Sequence, residues 1–294
     1  MSVYEPAVNN ALKLIQINFK VAYRHVQFKK GEFIGIGIRR ILENAFKKII
    51  CQNEKEDCDS CTNKNSCHYY RIFRTEYPSK HVGATKPYRV RILKQENDRC
   101  ACQLQILEPL IEFEDLFVRA LHAMKGMTEY KLLVNNVEVE KRIKSLLLLD
   151  AKSVRDTKKV KLILLTPLIL KVKGSNTTIP KLNYVLINLM RKLNALANAF
   201  GLSKLLPKDE LLALNALLPS LLFVPFALNV KVTRISWNDI SEYPAIQGTV
   251  IYKIEKLPSR QRELLLKYLR IGSYIGLGSL RVAGLGDYEC VVYA

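Results

Sequence analysis

ALKLIQINFKVAYRHVQFKKGEFIGIGIRRILENAFKKII, Ala11 to Ile50, changes its apolar period partway along. In its first half Ile15, Ile17, Phe19, Val21 and Tyr23 alternate with Gln16, Asn18, Lys20, Ala22 and Arg24. A period of two is that of a half-buried strand. Beyond Gly31, the residues Ile34, Ile38, Ile41, Leu42, Ala45 and Phe46 recur at helical spacing, so a helix follows the strand. Downstream, YRVRIL (Tyr88 to Leu93) and CACQLQIL (Cys100 to Leu107) form a strand pair across the polar turn KQENDR. FEDLFVRALHAM (Phe113 to Met124) reads as a second helix and EYKLLVNNVEVE (Glu129 to Glu140) as a last strand. The order is βαββαβ, that of a ferredoxin-like unit and of the RRM scaffold.

The second half repeats it. VKLILLTPLILKV (Val160 to Val172) is strand-like, with Pro167 implying an edge position or a bulge. KLNYVLINLMRKLNALANAFG is an amphipathic helix stopped by Gly201. NVKVTRISW and QGTVIYKIEKL make the middle pair, Ser259 to Arg270 a helix capped by Ser259, and DYECVVYA the last strand. A length of 294 residues suits two domains. The fold class is therefore α+β, two tandem ferredoxin-like domains over 1–150 and 151–294, joined around KSLLLLDAKSVRDTKK.

Forty-six Lys and Arg against twenty-seven Asp and Glu give +19 at pH 7. Such a field favours polyanions, because each neutralised phosphate releases counterions. The middle strands carry no aromatic RNP-type signature, so RNA would meet basic loops and helix ends rather than a stacking face. LLALNALLPSLLFVPFALNV, Leu211 to Val230, is uncharged and long enough for a membrane span. Pro219, Pro225 and Asn215 argue for a buried segment instead. With a polar N-terminal MSVYEPAVNN, the expectation is a cytoplasmic protein.

Cys51, Cys58, Cys61 and Cys67 are spaced x6, x2 and x5, with His68 adjoining. Thiolates at this spacing can converge on one tetrahedral metal, which makes 51–68 a metal-binding insertion in the first domain. A closed site of four thiolates is structural; zinc is the first choice and an iron–sulfur cluster the second. Free, metal-free thiols or a disulfide pair are the alternative. Cys100, Cys102 and Cys290 lie in strands as small apolar fillers.

Five of the thirteen glycines fall within 272–286. Such a loop can approach a ligand closely: Gly276, Gly278, Gly284 and Gly286 would present backbone N–H groups to an anion, and Arg281 a fork for phosphate. A tight turn explains the same composition. There is no GK[ST] of a phosphate-binding loop, and the stretch precedes a strand rather than opening a helix.

These features resemble the CRISPR RNA-processing endoribonucleases of the RAMP superfamily. Further stretches carry the resemblance: GIGIRRILENAFKKIIC running into C-x-x-C and CHYYRIF, LLTPLIL with the MRKLNAL helix, and W-N-D-I with QGTVIYKI. The resemblance implies binding of CRISPR repeat RNA and cleavage without a metal by the ribose 2′-OH, giving 2′,3′-cyclic phosphate and 5′-OH ends. It implies a histidine near the first helix, matched here by His25, with Lys29 or Lys30 stabilising charge. In relatives without the histidine Tyr, Lys or Arg would serve, here Tyr23, Lys29, Lys30, Arg39 and Arg40, the two arginines also being RNA contacts. His81 is a further, isolated candidate. A non-catalytic RNA-binding subunit of a CRISPR effector complex is the second function consistent with the same fold. The partners implied are repeat RNA, effector-complex subunits or a second copy of the chain.

Overall fold

The computed structural model describes residues 11–25, 33–51, 57–74, 85–129, 131–148, 157–238 and 241–294. Lys29, Lys30 and His81 lie outside them, as does the side chain of His25. The chain divides into two compact units, one of Lys13–Ser145, the other of Leu146–Ala294 with Ala11 and Leu12.

In the first unit, strand β1 (Ala11–His25) leads into helix α1 (Ile34–Ile50), and β2 (Tyr88–Gln95) and β3 (Arg99–Leu107) form the middle pair. Helix α2 (Glu114–Ala123), the short β4 (Thr128–Glu129) and β5 (Leu132–Leu148) complete it. The sheet order β2-β3-β1-β5-β4 is the ferredoxin-like order extended by one short strand. The alternation in β1 has its expected result, since Ile15, Ile17, Phe19, Val21 and Tyr23 are all buried. Phe46 of α1, Phe117 of α2, Tyr88 of β2 and Phe73 meet in an aromatic cluster with ring centroids 5.0–6.2 Å apart. Contacts of this kind add to area burial.

The opposite parity carries a ladder of amides. Gln105 accepts from Arg89 Nε at 2.6 Å and donates to Gln103 at 3.0 Å. Gln103 donates to Asn18 at 2.9 Å and accepts from Gln16 at 3.2 Å and Arg91 at 3.1 Å. Arg89 and Gln105 are both 2% exposed, and buried polar groups at that depth require such partners.

The second unit runs β6 (Lys159–Leu168), a small hairpin of β7 (Leu170–Val172) and β8 (Ser175–Thr177), α3 (Leu182–Phe200), α4 (Lys208–Leu221), β9 (Phe226–Asn238), β10 (Ser241–Lys253), α5 (Ser259–Ile275) and β11 (Tyr288–Tyr293). Its order β11-β6-β10-β9 is again ferredoxin-like. Pro167 is not on an edge, because β6 lies between β11 and β10; the register with β10 shifts between Ile246 and Gly248, opposite it. A bulge accommodates the missing N–H. Gly201 ends α3 at φ 69, as its position implies. Ser259 does not cap α5: Pro258 holds the N-cap position without a side-chain bond, and Ser259 Oγ accepts from Arg262 at 3.1 Å. The uncharged run forms α4, with Pro219 in its last turn, and then enters β9. No helix among the described residues is long and apolar enough to cross a membrane.

Candidate functional site

In the second unit α5 runs five residues beyond its sequence boundary, so Gly272 is helical. A Cβ there would stand 2.2 Å from the Tyr288 hydroxyl and 2.8 Å from Leu189 Cδ2. Gly272 is a contact point between α5, α3 and β11. Gly276 then ends the helix at φ 85, and the chain doubles back over β6.

The loop's donors are largely used within the unit. Gly276 N–H goes to Gly272, Leu277 to Gly286, Ser279 to Ile169, Gly284 to Arg281 and Gly286 to Pro167. Gly278 N–H donates to Asn188 Oδ1 of α3 at 2.9 Å. Thr166 completes the closure, donating its hydroxyl to the Gly284 carbonyl at 2.8 Å and accepting from Asp287 N–H at 2.9 Å. A Cβ on Gly278 would lie 2.4 Å from the Ile169 carbonyl oxygen, and one on Gly286 1.9 Å from that of Leu277. Gly276, Gly278, Gly284 and Gly286 are buried. Their freedom therefore serves a tightly folded turn, the second of the two sequence expectations, and the open nest of N–H groups is not formed. Ser279, Leu280 and Val282 are the half-exposed rim.

Arg281 is 3% exposed and donates to the Ile275 carbonyl at 2.9 Å, so it braces the loop from inside rather than reaching outward. Beside it is a residue that sequence reasoning passed over. Lys192 of α3 is half-buried and makes no hydrogen bond or ion pair among the described residues. Burial first, and then the neighbouring Arg281 charge, bring its pKa from 10.5 to about 7. A lysine in such surroundings is relieved either by losing its proton or by gaining a negative partner. The signal was present: Val185, Leu189 and Leu196 mark a buried helical stripe, and Lys192 falls on it.

In the first unit, His25 is the last residue of β1. Tyr23 is 1% exposed and donates to the Glu96 carbonyl at 2.7 Å; burial above all pushes its hydroxyl up to about 12. It is a core residue with a committed hydroxyl. Arg39 and Arg40 diverge on α1 as their spacing requires. Arg39 is tied inward, with Glu43 Oε1 accepting from Arg39 at 2.5 Å and from the Tyr88 hydroxyl at 2.7 Å. Burial opposes the Arg39 charge, but Tyr88 and Glu43 outweigh it and hold its pKa above the ordinary value. Arg40 is half-buried. The loop matching the glycine turn keeps one glycine, Gly126 at φ 78. It borders a cavity of about 330 Å³ lined by Asn44, Lys47, Lys48 and Glu129, where two cations at the end of α1 meet a concave polar wall.

Cys51, Cys61 and Cys67 line a second cavity, of about 310 Å³, together with His68. Cys58 is within electrostatic reach of Cys51, Cys67, Lys47 and Arg74, while burial pushes its thiol up. All four cysteines are free thiols. Among the described residues no group of three or more His, Cys, Asp or Glu is drawn together closely enough to hold a metal ion. Cys100 and Cys102 are buried, as fillers should be, with sulfurs 3.4 Å apart.

Two tandem ferredoxin-like units with a charge of +19 define, as a class, a basic double-domain α+β protein. A sequence model of the CRISPR-associated endoribonuclease Cas6 family matches residues 162–288, and one of an N-terminal domain family, AF_1859_N, matches residues 12–158. The segment 162–288 belongs to the CRISPR-associated endoribonuclease Cas6 family. The structure is similar to that of Thermus thermophilus Cas6, with a TM-score of 0.56 at 13% identity over 96% of this chain and 99% of that one. It is also similar to a Cas6 product complex, with 0.55 at 15% over 95% and 100%. A Cas6-RT-Cas1–Cas2 complex gives 0.53 at 10%, covering 96% of this chain and 29% of that one. At these identities the likeness is one of fold. No curated protein matches the sequence.

Proposed function

We propose that the protein binds a CRISPR repeat transcript and cuts it by attack of a ribose 2′-oxygen on the adjoining 3′-phosphorus. One P–O bond forms to the 2′-oxygen while the bond to the next nucleotide's 5′-oxygen breaks. The 2′-proton passes to a base and the departing oxygen takes up a proton, leaving a 2′,3′-cyclic phosphate and a 5′-OH. This balance needs a base, an acid and cations, all of which side chains can supply, and we infer that it runs without a metal. The observation that carries it is the match of the endoribonuclease family model over residues 162–288.

His25, where β1 ends, is the proposed base, with Lys29 or Lys30 stabilising the charge that develops on the phosphate. Tyr23, with its buried and bonded hydroxyl, is left a structural part. Lys192, together with the rim Ser279–Leu280, offers the RNA backbone a cation and a half-exposed edge beside the glycine turn. The charge of +19 supplies long-range attraction.

Purified protein is incubated in EDTA with repeat RNA and with the same RNA bearing one 2′-deoxy nucleotide at the cleaved position. Cutting of the first alone, with a cyclic phosphate on the product, is expected. Cutting of the deoxy substrate overturns the mechanism. Binding of the all-ribose substrate without products makes the chain a non-catalytic RNA-binding subunit of a CRISPR effector complex.

A further inference from the structure

We propose that Cys51, Cys58, Cys61 and Cys67 form a structural zinc site that fastens the insertion to the end of α1. The segment Asp57–Ser66, DCDSCTNKNS, holds no aliphatic or aromatic side chain. Burial of apolar surface, the ordinary source of fold stability, is closed to it. Yet it runs through successive turns, with Ser60 N–H bonded to Asp57, Lys64 to Cys61 and Ser66 to Asn63. Turns of this kind in a segment without a core call for another fastening, and in small metallo-segments a metal supplies it.

Both ends are fixed before any metal arrives. Cys51 caps α1, its N–H bonded to the Lys47 carbonyl at 2.8 Å. Cys67 accepts from Arg71 N–H at 3.0 Å, and Phe73, just beyond, is set in the aromatic cluster. Between these anchors the Cys58–Cys61 knuckle brings the other pair. Cys51, Cys61 and Cys67 border the 310 Å³ cavity, and Cys58 lies in electrostatic reach of Cys51 and Cys67. Neutral thiols have nothing that draws them to one point, so three of them line a space with Cys58 nearby, and the sulfurs are not gathered until a metal is bound. Binding of Zn²⁺ converts four thiols to thiolates, releases four protons and pulls the sulfurs onto the metal.

Charge supports the assignment. Zinc with four thiolates carries a net charge of −2, and Lys47 and Arg74 are the cations whose fields reach Cys58. His68 lines the same cavity, but its ring lies against Phe113 at 4.9 Å, which leaves the four sulfurs as the matched set. The proposal stands independently of RNA cleavage, since the site holds structure and touches no reacting atom.

The test measures zinc, iron and acid-labile sulfide in the folded wild-type protein, purified under reducing conditions without chelator, and titrates its accessible thiols. About one zinc per chain is expected, with a thiol titre that rises by about four when the protein is unfolded in denaturant with a chelator that removes the metal. Cobalt-substituted protein should show tetrahedral thiolate absorption. Cys58→Ser and Cys61→Ser should lower the zinc content at least tenfold, while Cys290→Ser, in the other unit, retains it. If the serine variants do not fold, the wild-type measurements still decide. Folded wild-type protein with no zinc after reconstitution, or with iron and sulfide instead, overturns the proposal.

Discussion

Lys192 and Arg281 are two like charges within electrostatic reach of each other, one half-buried on α3 and the other buried in the turn between α5 and β11. Their proximity, added to burial, brings Lys192 to about 7, within the range where cells work. Because the folded value lies below the ordinary 10.5, the unfolded chain holds a proton that the folded one lacks between about pH 7 and 10.5. This residue therefore lets stability rise with pH through that window, and its full penalty remains below pH 7.

Lys192→Met should accordingly raise the melting temperature at pH 6 and flatten its rise between pH 7 and 10. The same variant should bind repeat RNA more weakly, with the salt slope shallower by roughly 0.7, the single-strand value for one lost phosphate contact. Thermal melts across pH and salt-dependent binding check both halves. A variant that is stabilised but binds with an unchanged slope would leave Lys192 a buried misfit with no part in RNA contact.

The glycine turn makes a contrast. Gly286→Ala places a Cβ 1.9 Å from the Leu277 carbonyl oxygen at φ 67, where backbone must move. Gly126→Ala has φ 78 but nothing within 4 Å. Gly126→Ala should cost about 1–2 kcal/mol, the ordinary left-handed penalty, and Gly286→Ala clearly more. Urea denaturation measures the difference. Substitutions at Gly278 should likewise lower stability, so RNA affinity there is to be compared only in the folded fraction.

Arg39→Ala should lower stability by about 1–3 kcal/mol through loss of the charge-assisted bond to Glu43. Its RNA affinity should show an unchanged salt dependence, because the side chain faces Glu43 and Tyr88. A shallower salt slope would return Arg39 to the RNA-contacting set.

His25→Ala should slow cleavage by at least ~10²-fold, the lower bound for a general base, with RNA affinity nearly unchanged. Single-turnover kinetics read this directly. Unimpaired cleavage would move the search for the base to His81, with Arg40 left as a stabiliser of charge on the phosphate.

Elements with a strict period were readable in the sequence. β1, α1 and α3 follow their apolar stripes because one face of each is buried. α4 was not readable, since LLALNALLPSLL is apolar on all sides and Pro219 looked like a break rather than a last turn. The β7–β8 hairpin has strands of three residues, too short to display a period. Gly272 lies in a helix because Tyr288 and Leu189 leave room for no larger residue, a tertiary reason that local composition hides. The glycines were conspicuous, but whether their N–H groups face a ligand or the chain itself depends on Pro167, Ile169 and Asn188, some ninety residues or more away.

The amide ladder of the first unit settles a choice that its apolar residues leave open. Sliding β1 two residues along β3 keeps Ile15, Ile17, Phe19 and Val21 on the same side, facing another set from Ile106, Leu104, Cys102 and Cys100. Aliphatic contacts tolerate such a slide, because parity is preserved and the side chains are similar in bulk. Gln16, Asn18, Gln103, Gln105 and Arg89 do not, since their bonds join particular partners and an unmatched buried amide is costly. The ladder works as a vernier: oil specifies which face turns inward, and the amides specify where along the neighbouring strand β1 stops, and with it the position of His25 at its end.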